Sequence, residues 1–398
     1  MKLNNKFLFY NKKKVLDFFK IVVIAMTVST ITKKSISSRT LTLNSNSGTS
    51  FQVNEIIKDL GIPWGMTFIS PKEIMITERN GKIGILNTTS GKIVEIEGAP
   101  KVFSSGQGGL LDVAVPPNYK KGDWIFFTYS KEYIESGRKK AATSLARAQL
   151  EGYRLIKFSD LLVTKSGRES SIHFGSRITF DGNGNIFFSV GDRGNRSDAQ
   201  NLSFHSGSIL RLKLNGHVPK DNPFLNKKGV LPEIWSFGHR NPQGIFYDKE
   251  HDRLWSIEHG PRGGDEINLI KPGRNYGWPI ISYGKEYWGP IQVGEGTEKE
   301  GMEQPIKFYV PSIAPGSLIV YSGKAFPSWK GSLFAGALKL RHLNRIHLDN
   351  GETPIYEERL LVGLRERIRA ILESPEGWIY FSTDSGKIMR IIPYKSNN

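Results

Sequence analysis

The chain has 398 residues, 38% of them apolar and 23% charged, enough for one large globular domain or two smaller ones. With 42 Gly and 20 Pro but no Cys, it excludes disulfides, thiolate metal sites, a Cys nucleophile and a lipoprotein anchor. Residues 1–40 supply +8 of the formal charge of +17, from nine Lys or Arg against Asp17, and no basic helical stripe or RNA-binding motif follows, so a moderately basic surface is favoured over nucleic-acid binding.

In chain order, Lys-rich residues 1–20 precede an apolar run, Ile21-Val22-Val23-Ile24-Ala25-Met26-Thr27-Val28, and then a small, polar stretch through Ser38. This is the order of a secretory signal. The apolar run is short for a membrane span. Residues 1–40 are therefore expected to be a targeting segment, and the protein periplasmic or secreted. An uncleaved membrane anchor is the alternative.

Beyond it one pattern recurs six times: an apolar strand, a turn rich in Pro, Asp or Gly, then a second strand rich in aromatics. The copies begin at Gly65, Leu110, Arg177, Gly244, Leu318 and Ile368, and their second strands at Ile74, Trp124, Ile186, Leu254, Ser332 and Trp378. The strands are rich in Val, Ile and Phe, as half-buried pleated surfaces require. Six repeated hairpins predict an all-β, six-bladed β-propeller with four-stranded antiparallel blades, forming a single domain over residues 41–398. A β-sandwich or jelly roll would not require six copies of one hairpin. Residues 81–86 and 386–391 are expected as third strands, and residues 41–60 as the source of the strand that closes the ring.

Chemistry-bearing residues gather just before the first strand of a unit or just after its second, the places where propeller loops line a central channel. His173 precedes the third hairpin, and a neutral imidazole there can accept a proton from an alcohol; a structural histidine is the plainer reading. Arg240 and Asn241, before the fourth hairpin, can polarise a carbonyl, although Arg240 alone would equally suit an ion pair between blades. Lys339, Arg367 and Arg369 can form a cationic cradle, or be solvated charges. Glu258, Asp265 and Glu266 can bind a hard cation together with backbone carbonyls. Asp192, Asn195 and Asp198 form a weaker candidate cation loop, without the full EF-hand pattern.

Several segments together resemble the soluble pyrroloquinoline-quinone (PQQ) dependent sugar dehydrogenases, the glucose/sorbosone dehydrogenase family. They are Pro63-Trp64-Gly65-Met66, Gly106-Gln107-Gly108-Gly109-Leu110-Leu111-Asp112, His173 through Gly194, Gly238-His239-Arg240-Asn241-Pro242-Gln243-Gly244, Glu258 through Trp278, and Ala314-Pro315. The resemblance runs from about Gly61 to Arg390 and leans toward the bacterial aldose dehydrogenases. It implies oxidation of aldoses at C1 to the lactone, with PQQ and Ca²⁺ as cofactors. His173 would take the proton of the C1 hydroxyl while the hydride passes to C5 of PQQ. Arg240 would stabilise the oxygen charge that develops there, and Asn241 would contact the quinone. Lys339, Arg367 and Arg369 would hold the cofactor's oxygens, and Ser312 would stand where the family has a cofactor-contacting Thr. Carbonyls of Gly260 and Pro261 would bind the catalytic Ca²⁺, Glu266 and Tyr276 a structural one, and Gln107 would lie near the sugar.

Where glucose-oxidising members carry an acid before the histidine, this chain has Ile172, which favours a broad aldose preference over glucose. No Cys-x-x-Cys-His haem motif exists, so an external acceptor must take the electrons. Two further readings compete: a metal-dependent six-bladed lactonase, with a channel cation held by side-chain carboxylates, and a non-catalytic propeller binding module.

Overall fold

The computed structural model describes residues 40–394; residues 1–39 of the expected targeting segment lie outside the described residues. Six antiparallel sheets follow one another along the chain, and each of the six predicted hairpins is the inner pair of one sheet. Blade 1 has inner strands Pro63–Ser70 and Glu73–Glu78, blade 2 Leu110–Ala114 and Ile125–Glu135, and blade 3 Ile178–Phe180 and Asn185–Val190. Blade 4 has Pro242–Asp248 and Arg253–Glu258, blade 5 Pro315–Val320 and Leu333–Ala337, and blade 6 Ile368–Glu373 and Ile379–Thr383. The first strands pack in sequence around the axis, and that of blade 6 meets that of blade 1, so the ring is closed. The predicted third strands are present as Ile83–Asn87 and Ile388–Pro393.

Five blades have four strands and blade 6 has five. The difference comes from the N-terminal chain. Ser50–Ile57 pairs with Ile388–Pro393, with Phe51 opposite Pro393 and Val53 opposite Ile391, which is the expected ring closure. Thr40–Asn44 then folds back on Ser50–Ile57 as an additional outer strand. Its side chains are exposed or half-buried, so it covers an edge that would otherwise present unpaired backbone groups.

Each interface between neighbouring blades is filled by its own apolar cluster. Phe334, Leu343, Ile379 and Phe381 join blades 5 and 6, for example, and Met75, Ile85, Val113 and Phe127 join blades 1 and 2. Hydroxyls on second strands tie four blades to the next at the axis. Thr77 donates to the Leu111 carbonyl at 2.5 Å, Thr128 to that of Ser176 at 2.5 Å, Ser189 to that of Pro242 at 2.9 Å and Ser382 to that of Pro63 at 2.8 Å. The last bond crosses the closing seam. Ser382→Ala removes it and leaves a buried carbonyl unpaired, so it should lower unfolding free energy by about 1–3 kcal/mol in urea titrations.

At the axis, Arg177 joins five blades. From the position just before the first strand of blade 3, its Nη1 donates to Asp112 Oδ1 of blade 2 at 2.8 Å and its Nε to the Gln243 carbonyl of blade 4 at 3.1 Å. Its Nη2 reaches the Gly316 carbonyl of blade 5 at 2.9 Å, and the guanidinium lies 4.2 Å over the ring of Trp64 in blade 1. Both Arg177 and Asp112 are buried, and burial pushes the Asp112 carboxyl up and the Arg177 guanidinium down from their ordinary values.

Candidate active site

Chain connectivity brings the predicted residues to one end of the ring. His173 and Arg240 precede the first strands of blades 3 and 4, Gly260 and Pro261 follow the second strand of blade 4, and Lys339 follows that of blade 5. Arg367 and Arg369 sit at the entry to blade 6.

His173 adopts a left-handed backbone with φ of 54°, a conformation that costs energy for a residue other than Gly. Its neighbours hold it there. The His173 N–H donates to Gln107 Oε1 at 2.7 Å, and Nδ1 lies 2.6 Å from Asp192 Oδ1. Asp192 in turn accepts from the Gly194 amide at 2.8 Å and from Trp278 Nε1 at 2.8 Å. Gly191 must lack a side chain, because a Cβ there would stand 2.3 Å from the His173 carbonyl oxygen. Arg193 donates to the carbonyls of Ser170 and Ile172, with its guanidinium 3.5 Å over the Phe174 ring. Asn241 is buried and accepts from the Gly175 amide at 3.1 Å, so it braces the same loop.

Burial lowers the His173 imidazole from its ordinary 6.5; Asp192 opposes this and the Arg240 charge adds to it. Burial pushes Asp192 up, but its bonds to His173 and Gly194 outweigh that and hold it below its ordinary range. The pair therefore rests as neutral imidazole and carboxylate at neutral pH. With the carboxylate facing Nδ1, that nitrogen carries the proton. Nε2 has no protein partner among the described residues and is left as the acceptor.

Arg240 donates through Nη1 to the Gly260 carbonyl at 2.8 Å and to that of His259 at 3.1 Å, and its Nη2 lies 3.4 Å from the Tyr287 hydroxyl. Tyr287 and Trp278 come from the long excursion between strands Asp265–Ile270 and Lys307–Tyr309 of blade 4, and Trp288 beside Tyr287 is largely exposed. The segment after Gly260 coils tightly, since a Cβ on Gly260 would lie 2.1 Å from the Gly264 carbonyl oxygen. Buried Asp265 organises it, accepting from the Gly260 amide at 2.9 Å, the Ala314 amide at 2.8 Å and the Ser312 hydroxyl at 2.6 Å. Ser312 is thus engaged by Asp265. His259 donates to the Pro315 carbonyl, and burial lowers it to about 3, so it is neutral.

A small polar cavity of about 10 Å³, room for one water or one bare ion, is bounded by Glu258, Gly260, Glu266 and Tyr276. Burial and the Glu258 carboxylate beside it raise Glu266 to about 8. Two carboxyls competing for one enclosed space in this way favour a cation between them. Glu258 also accepts from His239 Nδ1 at 2.8 Å and the Arg240 amide at 2.7 Å. The Tyr276 hydroxyl is bonded to the backbone at Leu269 and Lys271, which leaves its main-chain carbonyl as the available ligand. Among the described residues no three His, Cys, Asp or Glu side chains converge to hold a metal, so an ion here needs carbonyl ligands.

One expectation requires correction. Asp192, Asn195 and Asp198 do not form a cation loop: Asp192 serves His173, while Asp198 pairs with Arg168 and accepts from Asn195. The cationic group includes one acid. Asp384 accepts from Arg367 Nε at 2.8 Å and from Arg369 Nε at 2.9 Å. Positive charge still dominates, because Arg79 joins the group: burial lowers its pKa first, and the nearby charges of Arg369 and Arg367 lower it further against Asp384. The Lys339 side chain is exposed and has no hydrogen-bond or ion-pair partner among the described residues. Sequence reasoning missed Arg79, Tyr287 and Asp384, which no local pattern marks, and assigned no role to Trp278 at the end of its matching segment.

Comparison with known proteins agrees with this architecture. The model of the glucose / sorbosone dehydrogenase family matches residues 60–390. The aldose sugar dehydrogenase YliI of Escherichia coli is 35% identical over 344 residues, 85% of this chain and 92% of the relative. The apo-form crystal structure of the soluble aldose sugar dehydrogenase from Escherichia coli has a TM-score of 0.81 at 33% identity, covering 86% of this chain and all of that one. The PQQ-bound aldose sugar dehydrogenase of Streptomyces coelicolor, 22% identical, shares the fold at a TM-score of 0.69 over 90% of this chain and 99% of its own.

Proposed function

The chain belongs to the glucose/sorbosone dehydrogenase family and is an oxidoreductase of that kind, and from this premise we propose that it is a PQQ- and Ca²⁺-dependent aldose dehydrogenase of the periplasm or cell exterior. It oxidises the C1 hydroxyl of aldoses to the lactone and yields electrons to an external acceptor. The observation that carries the reading is the His173–Asp192–Trp278 chain, which presents an unpartnered Nε2 near Arg240.

The residues present fit the cofactors. PQQ is a tricarboxylate, and Arg367, Arg369 and Arg79 share a single carboxylate while Lys339 has no ion-pair partner among the described residues, leaving positive charge to bind it. The carbonyls of Gly260 and Pro261 are oxygen ligands suited to a hard cation, and Glu266 with the Tyr276 carbonyl supplies a second oxygen set. When bound, PQQ supplies the two-electron acceptor for the C1 hydride and Ca²⁺ a Lewis acid. His173 Nε2 receives the C1 hydroxyl proton, and Asp192 steadies the imidazolium that results. Arg240 aims a fixed charge at the oxygen where negative charge gathers. Gln107, bonded to the His173 amide, holds the base and lies beside the sugar. A lactonase requires a channel cation on side-chain carboxylates, which the absence of a three-ligand cluster among the described residues disfavours.

Reconstitution of the chain with PQQ and Ca²⁺ tests the reading by dye reduction across a panel of aldoses. Turnover dependent on both supports it, and a folded protein that binds no PQQ overturns it. Because only neutral His173 can accept the proton, kcat/KM should rise with pH. The midpoint of that acid limb should fall below 6.5, since burial lowers the imidazole. Calcium should raise Tm, contributing about 2.7 kcal/mol at a hundredfold excess over Kd. In Glu266→Gln the part of that rise due to the structural ion should vanish in a calorimetric scan.

A further inference from the structure

Of the six apolar clusters between neighbouring blades, the one between blades 3 and 4 is the smallest. Beside it opens a cavity of about 570 Å³, well within the range of small-ligand sites. Its walls include the turns that follow the inner strands of blades 3 and 4, at Asn183 and Asp252. His173 and Arg240 precede those same strands. The cavity therefore lies at the end of the ring opposite the candidate active site.

We propose that this cavity binds a neutral saccharide. Half-buried Trp235 and Tyr247 flank buried Phe187, with ring centroids 5.4 Å and 5.9 Å away. Such an aromatic wall suits the C–H face of a pyranose. Polar groups surround it. Arg211 lies 4.7 Å over the Trp235 ring and its Nη2 bonds Asp221 at 2.9 Å. The largely exposed Asp221 carboxylate and the exposed Asn183 and Asp252 side chains offer acceptors and a donor at the rim, which suits a ligand that carries both. Charge narrows the class further. Asp181, Asp221 and Asp252 each already accept a hydrogen bond, from the Asn183 amide, Arg211 and the Tyr247 hydroxyl respectively, which disfavours a cation. The same three carboxylates oppose Arg211 and Lys213, which disfavours an anion. An uncharged ring with many hydroxyls satisfies every requirement.

Saturation-transfer NMR on the full chain, without PQQ or added calcium, tests this with maltose, cellobiose and lactose as probes. Transfer to at least one probe is expected in the wild type and in His173→Ala. Affinity should fall at least tenfold in Trp235→Ala and in Asn183→Arg, which fills the cavity from an exposed turn without disturbing the core. Absence of transfer to all three probes in the wild type overturns the proposal. So does transfer that survives both cavity variants, or that is lost in His173→Ala while Trp235→Ala and Asn183→Arg retain it, because the probe then occupies the active site. The measurement needs no turnover, so its failure leaves the dehydrogenase reading untouched.

Discussion

Replacing Asp192 with Asn should lower kcat for aldose oxidation by about 10²–10⁴-fold while leaving the propeller folded and able to bind PQQ. Asp192 touches His173 through Nδ1 and is anchored by Trp278 and Gly194, so an isosteric amide can keep the geometry. The charge and the tautomer change. An amide nitrogen turned toward Nδ1 would donate to it, move the imidazole proton to Nε2 and abolish the acceptor. If the amide oxygen faced Nδ1 instead, the imidazolium formed on proton transfer would lose its counter-charge. Steady-state kinetics on the reconstituted variant would show the loss in kcat with little change in KM, and His173→Ala should give no further loss in the Asp192→Asn background. A wild-type kcat in Asp192→Asn would remove the pair from the mechanism.

The largest stability effect is expected at the axis. Asp112→Ala leaves the Arg177 guanidinium buried with carbonyl acceptors and no counter-charge, at a cost of about 3–5 kcal/mol. For a protein of this size that corresponds to a fall in Tm of about 4–7 °C, measurable by differential scanning calorimetry. The carboxylate also accepts from the Ile178 amide at 2.8 Å, so the loss reaches the first strand of blade 3, five residues after His173. Removing both charges with an apolar pair, Asp112→Leu with Arg177→Met, should recover much of the stability, because the desolvation of two ions is then no longer required. A single Asp112→Ala that melts like the wild type would show that Arg177 finds sufficient compensation from the three carbonyls of Trp64, Gln243 and Gly316.

Much of this protein was legible locally. The period-2 hairpins depend only on side chains a few residues apart, so the six inner strand pairs, and a closing strand somewhere within residues 41–60, follow from pattern and turn chemistry. The extra strand Thr40–Asn44 was not legible, because a half-exposed strand that covers an edge needs no strong apolar alternation. His173 and Arg240 stood out through their positions at strand entries. The partners of these residues did not. Asp192 follows His173 by nineteen positions and read as part of a cation loop, while Trp278 and Asp192 lie 86 residues apart.

The amino-acid order alone thus settled the repeat, the blade number and the segments that supply chemistry, because strand periodicity and turn residues act over short distances. Tertiary structure alone decided which carboxylate serves which cation or imidazole. Asp384 neutralises part of the Arg367 and Arg369 charge, Asp265 holds the Gly260 loop, and Asp112 meets Arg177 on the axis. Electrostatic pairing and burial depend on distance through space, and closing six blades into a ring sets those distances between residues remote in the chain.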